Sequence, residues 1–463
     1  MTREHVDLLR WPGVGRFLRW RWSRGVLQGF LLLIALLMLY DGFTGPPEPY
    51  RNLSTVLAWI WYRGVLLLAL LAVGNLFCMA CPFALPRTLA RRLSLAGPRW
   101  PRALRTKGLA VAGLFLIFFL YEWLDLWASP WLTAWVIVGY FVAAFVLEAL
   151  FHDSPFCKYI CPLGQFNYVH SALSPFQIQA RDPEVCRTCP GKECLRGSNT
   201  VPGCGTLLFV PQMRSNLDCV LCLDCARACP YDNVALQWRG FGREAMDPKS
   251  WPVAPATGFL PFFLTAAALA NAFGMVPPAY ALLDTLARWG LPGEGTRIFV
   301  LLAFLTLVLP WLTARFLGWW HARYLGHTHP WYRTVARLSP ALIPLSFGIW
   351  AAHYGFHFLS TAWVLFPVVQ EFARAHGWDL GPPSWQPRPL LPPTWWYPIQ
   401  VATVLLGFGM TLWALRARAR RAFPGQPTEA LLFPWVLLAM GMAWAAIAIF
   451  ALPMEMRGAP VGH

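Results

Sequence analysis

The sequence predicts an all-α polytopic membrane protein of about nine transmembrane helices, interrupted by one polar, cysteine-rich insert. Three observations predict it. Of 463 residues, 57% are hydrophobic and only 13% are charged, where a soluble domain carries about 25% charge. Apolar runs long enough to cross a bilayer recur along the whole chain. They lack the alternation of barrel strands, so helices are what satisfies their backbone in lipid. Residues 152–250 break the pattern and hold ten of the twelve cysteines.

The runs lie at roughly 26–43, 55–77, 108–127, 131–151, 256–276, 297–318, 338–360, 395–415 and 430–453. The stretch TAWVLFPVVQEF (361–372) reads as re-entrant or interfacial, because a tenth span would spoil the alternation of loop charge. Arginine gathers before the first run, after the second, after the sixth and after the eighth, and the loops between are poor in it. A net charge of +16 distributed in this way is a positive-inside bias and not a nucleic-acid-binding face. It predicts a bacterial or archaeal cytoplasmic (inner) membrane, with the N-terminus and the insert cytoplasmic and the C-terminus outside. The first run lacks a small-residue cleavage site and reads as a retained span. The expected organisation is a basic N-terminus (1–25), a four-helix unit of two hairpins (26–151), the insert (152–250), a five-helix unit (256–453) and an outer tail (454–463).

Thiols on a cytoplasmic segment stay reduced, so ten of them point to metal or redox chemistry and not to disulfides. The most specific motif is CVLCLDCARACP, with Cys219, Cys222, Cys225, Cys229 and Pro230. It is the C-x2-C-x2-C-x3-C-P run of bacterial-type 2[4Fe-4S] ferredoxins, in which three thiolates wrap one cluster and the fourth serves another. A zinc site of four thiolates is the alternative, although zinc frameworks pair two C-x2-C knuckles across a longer gap. Upstream stand Cys186, Cys189, Cys194 and Cys204. A swapped arrangement puts Cys186, Cys189, Cys194 and Cys229 on one [4Fe-4S] cluster, and Cys204, Cys219, Cys222 and Cys225 on the other. An unswapped grouping also fits the spacing.

Two further pairs end apolar runs two and four: FCMACPFA, with Cys78, Cys81 and Pro82, and FCKYICPLG, with Cys157, Cys161 and Pro162. Both read Phe-Cys, a short gap, then Cys-Pro, as a duplicated two-span unit would. Runs two and four point the same way, so their four cysteines lie at one membrane face and can share a third metal centre or iron–sulfur cluster. Buried structural thiols are the alternative.

The double cluster pattern and the paired Cys-Pro hairpins resemble the NosR/NapH/CcoG group of membrane polyferredoxins, over roughly residues 26–240. CKYICPLG matches that family's second C-x3-C-P motif; CMACPFA departs from the first by one residue. The resemblance implies electron transfer between the quinone pool, or a cytoplasmic donor, and a partner redox protein such as a reductase, a cytochrome or a copper protein. Two other classes remain in view. One is a copper reductase serving metalloenzyme assembly, and the other is a transporter or anchor with a zinc-binding domain. Whether the chain is itself an enzyme is left open.

Outside the cysteines, His353 and His357 stand one turn apart on the seventh run, suited to quinone hydrogen bonding, a metal or helix packing. Arg63 is expected to pair with Glu122 or Asp125 or to take protons from a quinol; Glu148 and His152 lie at the inner end of run four, beside Cys157. His321, His327 and His329 fall in a basic loop and are expected to be solvated.

Overall fold

The computed structural model describes residues 6–86, 97–151, 154–326, 329–455 and 457. Among them, eight helices are long and apolar enough to cross a membrane: Ser23–Thr44, Leu53–Ala72, Pro130–Leu150, Pro255–Phe273, Glu294–Leu325, Trp331–Ala375, Pro393–Ala422 and Thr428–Phe450. The protein is thus an all-α, multi-pass membrane protein. The third apolar run gives a shorter helix, Gly108–Trp123, of 16 residues. At 1.5 Å per residue it is about 24 Å long, less than a hydrocarbon core of about 30 Å. It ends where the chain turns and Asp125 takes a left-handed backbone (φ 44°). The stretch read as re-entrant or interfacial folds as a 3₁₀ turn, Ala362–Val364, and a helix, Leu365–Ala375. This helix buries Pro367, Val368 and Ala373 and exposes Phe366 and Val369.

The chain divides into two compact units. The first comprises Met1–Ile34, Leu68–Gly113 and Tyr140–Trp251; the second comprises Ala35–Leu67, Leu114–Gly139 and Pro252–His463.

In the first unit the polar insert is built on two antiparallel strands, β1 (Phe176–Ala180) and β2 (Val234–Trp238), with Phe176 opposite Trp238 and Ala180 opposite Val234. Inward residues of the strands join Val210, Leu221 and Leu223 in one apolar core. Two segments that the hydropathy pattern assigns elsewhere complete that core. Leu8 and Leu9, from the basic N-terminus, are buried in it, and so is Met79 from between the first Cys-Pro pair. Asp7 clamps the N-terminal segment down: one carboxylate oxygen accepts from the Leu9 and Leu236 amides at 3.0 and 3.1 Å, and the other from Arg181 at 2.8 Å. The second apolar run stops at Ala72, five residues short of its expected end. Gly74 (φ 102°) turns the chain there, and a Cβ on it would lie 2.9 Å from the Ser174 hydroxyl.

In the second unit, helix Ile343–Thr361 is the buried centre. Helix Trp396–Ala422 approaches it through facing glycines: a Cβ on Gly348 would meet the Thr403 carbonyl at 2.9 Å, and one on Gly407 the Pro344 carbonyl at 2.6 Å. Small residues at such crossings let backbones close up where lipid offers no hydrophobic drive.

Candidate cysteine centres and a buried polar cavity

The twelve cysteines of the first unit line three cavities, and Cys222 lies in the wall of two of them. Cys186, Cys189, Cys194 and Cys229 surround one of about 350 Å³. Cys204, Cys219, Cys222 and Cys225 surround another of about 360 Å³. Cys78, Cys81, Cys157 and Cys161 line a third, of about 760 Å³, which is partly open to solvent. Among the described residues, no three His, Cys, Asp or Glu groups close on a single metal ion.

Local backbone explains how each group forms. Around Cys222 the chain takes left-handed conformations at Leu221 (φ 53°) and Leu223 (φ 61°), which bulky side chains rarely adopt. Both side chains are buried in the insert core, so packing holds the loop wrapped about its cysteines. Amides and polar side chains point at the sulfurs. Asn233 Nδ2 lies 3.2 Å from Cys186 Sγ and its backbone N–H 3.4 Å from Cys229 Sγ. Leu208 N–H reaches Cys204 Sγ at 3.3 Å, Gly164 N–H reaches Cys161 Sγ at 3.3 Å, and Asn167 Nδ2 reaches Cys78 Sγ at 3.5 Å.

The two Cys-Pro ends reach one cavity despite unequal gaps. The first is a short α-helix, Leu76–Ala80, ending at Cys81 with φ −62°, ψ 121°. The second is a π-turn, Phe156–Ile160, closed by Cys161 N–H on the Phe156 carbonyl at 2.7 Å and ending with φ −53°, ψ 113°. A π-turn absorbs one extra residue. The three-residue gap is therefore accommodated without changing how the Cys-Pro step leaves the helix.

Charge around the third cavity is ordered. Arg24 lines it and pairs with Asp224 at 3.0 Å. Lys107, almost fully buried, donates to the Lys158 carbonyl and Gln165 Oε1 at 2.8 Å each and pairs with Asp218. Glu148 lines the cavity as well. Burial raises the thiols: Cys78 to about 11, and Cys81 and Cys161 well above the ordinary range, where neighbouring cysteines add to the shift. Cys222 is pushed up to about 12 by burial and by Asp224, against the opposing pull of Arg24. Cys219, Cys225, Cys186 and Cys194 are raised too, chiefly by burial. Coordination to a metal would require these thiols to lose their protons.

The second unit holds the remaining candidates. His353 and His357 are buried with ring centroids 5.1 Å apart. Neither His353 nitrogen, nor His357 Nδ1, has a hydrogen-bond partner among the described residues. Arg63 does not pair with Glu122. Its guanidinium lies over Trp59, Tyr121 and Tyr354 at 4.6–4.8 Å and donates to the Tyr121 hydroxyl at 3.2 Å. Glu122 instead binds Arg457 at 3.0 Å and Asn271 at 3.1 Å. The expectation failed because Arg457, far off in sequence and placed in the outer tail, folds back and reaches the carboxylate first. His321 is also corrected. It is fully buried on helix Glu294–Leu325, with Nε2 3.2 Å from the Leu431 carbonyl and 3.3 Å from Trp435 Nε1, because that helix runs beyond the apolar stretch. His329 is exposed, and His152 and His327 lie outside the described residues.

Sequence reading missed Arg24, Lys107, Met79 and Arg457. The first two looked like ordinary loop charges, and nothing local marks the others.

No family model matches the chain, and no solved structure matches it. One curated relative is "Putative electron transport protein YccM" of Escherichia coli (strain K12), 33% identical over 113 residues. The match covers 24% of this chain and 30% of that protein, so the chain spans less than a third of its relative's length.

Proposed function

We propose that the chain is a membrane-bound iron–sulfur electron-transfer protein, with a [4Fe-4S] cluster at each of the two insert sites and a third metal centre at the Cys-Pro pairs. One observation carries the reading: the three cavities adjoin in a row. Val210 lines both insert cavities, and Cys222, Thr206 and Val220 line both the second insert cavity and the Cys-Pro cavity. Three isolated structural sites would have no need of shared walls. The partial similarity to a protein named for electron transport supports the same class.

A bound cluster supplies one-electron chemistry at a potential set by charge, sulfur hydrogen bonds and solvent exposure. The protein's part is to set those quantities. Cys186, Cys189, Cys194 and Cys229 would hold the outermost centre, where Tyr231 is exposed at the rim. Cys204, Cys219, Cys222 and Cys225 would hold the middle one, and Cys78, Cys81, Cys157 and Cys161 the last. Arg24 stands by both of the latter and favours their reduced forms, since added negative charge is stabilised by a nearby cation. In this reading the insert faces the cytoplasm of the cell, and electrons pass between the quinone pool or a cytoplasmic donor and a partner redox protein.

Anaerobic purification with iron, copper and zinc counting, and paramagnetic resonance after reduction, tests the reading. The expected content is about twelve irons per chain, four per cubane, or about eight with another metal in the third site. A colourless protein holding zinc and no iron overturns the proposal.

A further inference from the structure

We infer that the second unit contains a binding site for a small anion, of the carboxylate or oxyanion class, between Arg63 and His357. A small, partly open cavity is lined by both residues and walled by Trp59, Tyr121 and Trp127. The site does not depend on the electron-transfer reading.

Three observations define the occupant. The first is charge. Arg457 also lines the cavity, but its guanidinium is consumed: it binds Glu122 at 3.0 Å, Glu455 at 3.1 Å and the Gly274 carbonyl at 3.2 Å. Arg63 has no carboxylate partner among the described residues. Three aromatic faces and one hydroxyl attract its charge, and Glu122 acts on it only at a distance, its carboxylate being paired with Arg457. A guanidinium carries five N–H donors, and a single hydroxyl at 3.2 Å takes one of them.

The second observation is the histidine pair. His357 is 5% exposed, lines the cavity and has a buried Nδ1 with no hydrogen-bond partner among the described residues. His353, fully buried, stands behind it with both nitrogens unpartnered. Buried polar groups are otherwise almost always satisfied. An unpaired imidazole beside an unpaired guanidinium calls for an electron-rich acceptor.

The third is what the cavity excludes. Histidines at i and i+4 are a metal-binding spacing, but the Arg63 guanidinium lines this cavity without a paired carboxylate, and its field opposes a cation. A planar anion meets the requirements together. It takes the fork of Arg63 in bidentate fashion, accepts from His357, and packs flat between indole and phenol rings.

The test is calorimetric titration of the full-length protein in detergent with sodium formate and, separately, sodium nitrate, at constant ionic strength held with bulky gluconate. Saturable one-to-one binding is expected. Arg63→Gln should weaken it about tenfold or more, the loss of one charge-assisted pair. His357→Phe should weaken it less, and Arg63→Lys should restore part of it. The visible spectrum and the melting temperature of each variant report whether it is folded. Absence of saturable binding by the wild-type chain overturns the inference without recourse to any variant. So does unchanged affinity in a folded Arg63→Gln protein. Saturable binding of a short-chain quinone that formate does not compete with overturns the anion class.

Discussion

The two Cys-Pro ends are near copies in sequence and solve one problem in two ways. FCMACPFA reaches its Cys-Pro step through a short α-helix, and its Met79 is anchored in the core of the insert. FCKYICPLG carries one more residue, spends it in a π-turn, and is anchored by the buried Lys107. The final backbone angles at Cys81 and Cys161 differ by less than ten degrees. A change in motif length is thus absorbed within one helical turn, while the step that aims the sulfur is preserved. What differs is the contact at the middle of each motif: Met79 packs into the insert core, whereas the Lys158 carbonyl accepts from the buried Lys107.

That contrast can be broken in order of severity. In the proposed reading, changing Cys81 or Cys161 to Ser removes a ligand of the third centre. It should remove the third centre, lowering the iron count by about four per chain where that centre is a cubane or the count of the other metal where it is not, and leave the insert signals in place. An equal loss of all signals would mean that the four cysteines do not form a separate centre. Altering motif length should act asymmetrically. A residue inserted between Met79 and Ala80 forces Met79 out of register with the insert core. Deleting Tyr159 only converts the π-turn to the α-form already used by the first copy. Third-centre occupancy, measured by resonance, should fall severely in the insertion and survive with a changed line shape in the deletion; the reverse order would sink the account of the π-turn.

The anchors come next. Lys107→Ala leaves the partly buried Asp218 without its ion-pair partner and strips Gln165 Oε1 of its donor, which should cost about 3 kcal/mol. Thermal denaturation in detergent measures it. Arg24→Gln should leave cluster content intact and shift the midpoint potentials of the middle and third centres downward by tens of millivolts. About 59 mV corresponds to 1.4 kcal/mol for one electron. The outermost centre should not move, since Arg24 lines only the Cys-Pro cavity and acts on Cys222, Cys157 and Cys81. The smallest effect is expected of the prolines. Pro82 and Pro162 each start the helix that follows, and alanine there should cost about 0.4–1 kcal/mol, similar in the two copies.

Much of this arrangement was legible beforehand. Hydropathy located the helical runs, because a lipid-spanning segment must be apolar along its whole length whatever its neighbours. The grouping of the insert cysteines about two cavities was legible for a related reason: short spacing along the chain limits which thiols can come together. The partners of single charges were not. Arg63 and Glu122 lie within one plausible pair of spans, yet Glu122 is taken by Arg457, 335 residues away. His321 read as solvated because it follows an apolar run, but the helix continues past that run and buries it.

From the sequence alone came the class of the protein, the position of its insert and the two candidate groupings of the insert cysteines. These depend on covalent spacing and on local hydrophobicity. Only the tertiary structure decided which thiols line each cavity and how the longer motif takes up its extra residue. It alone brought Met79, Arg24 and Lys107 to the cysteine sites, and left Arg63 without a carboxylate. Those outcomes depend on which distant side chains win the competition for a buried position, and packing of the whole chain settles that competition.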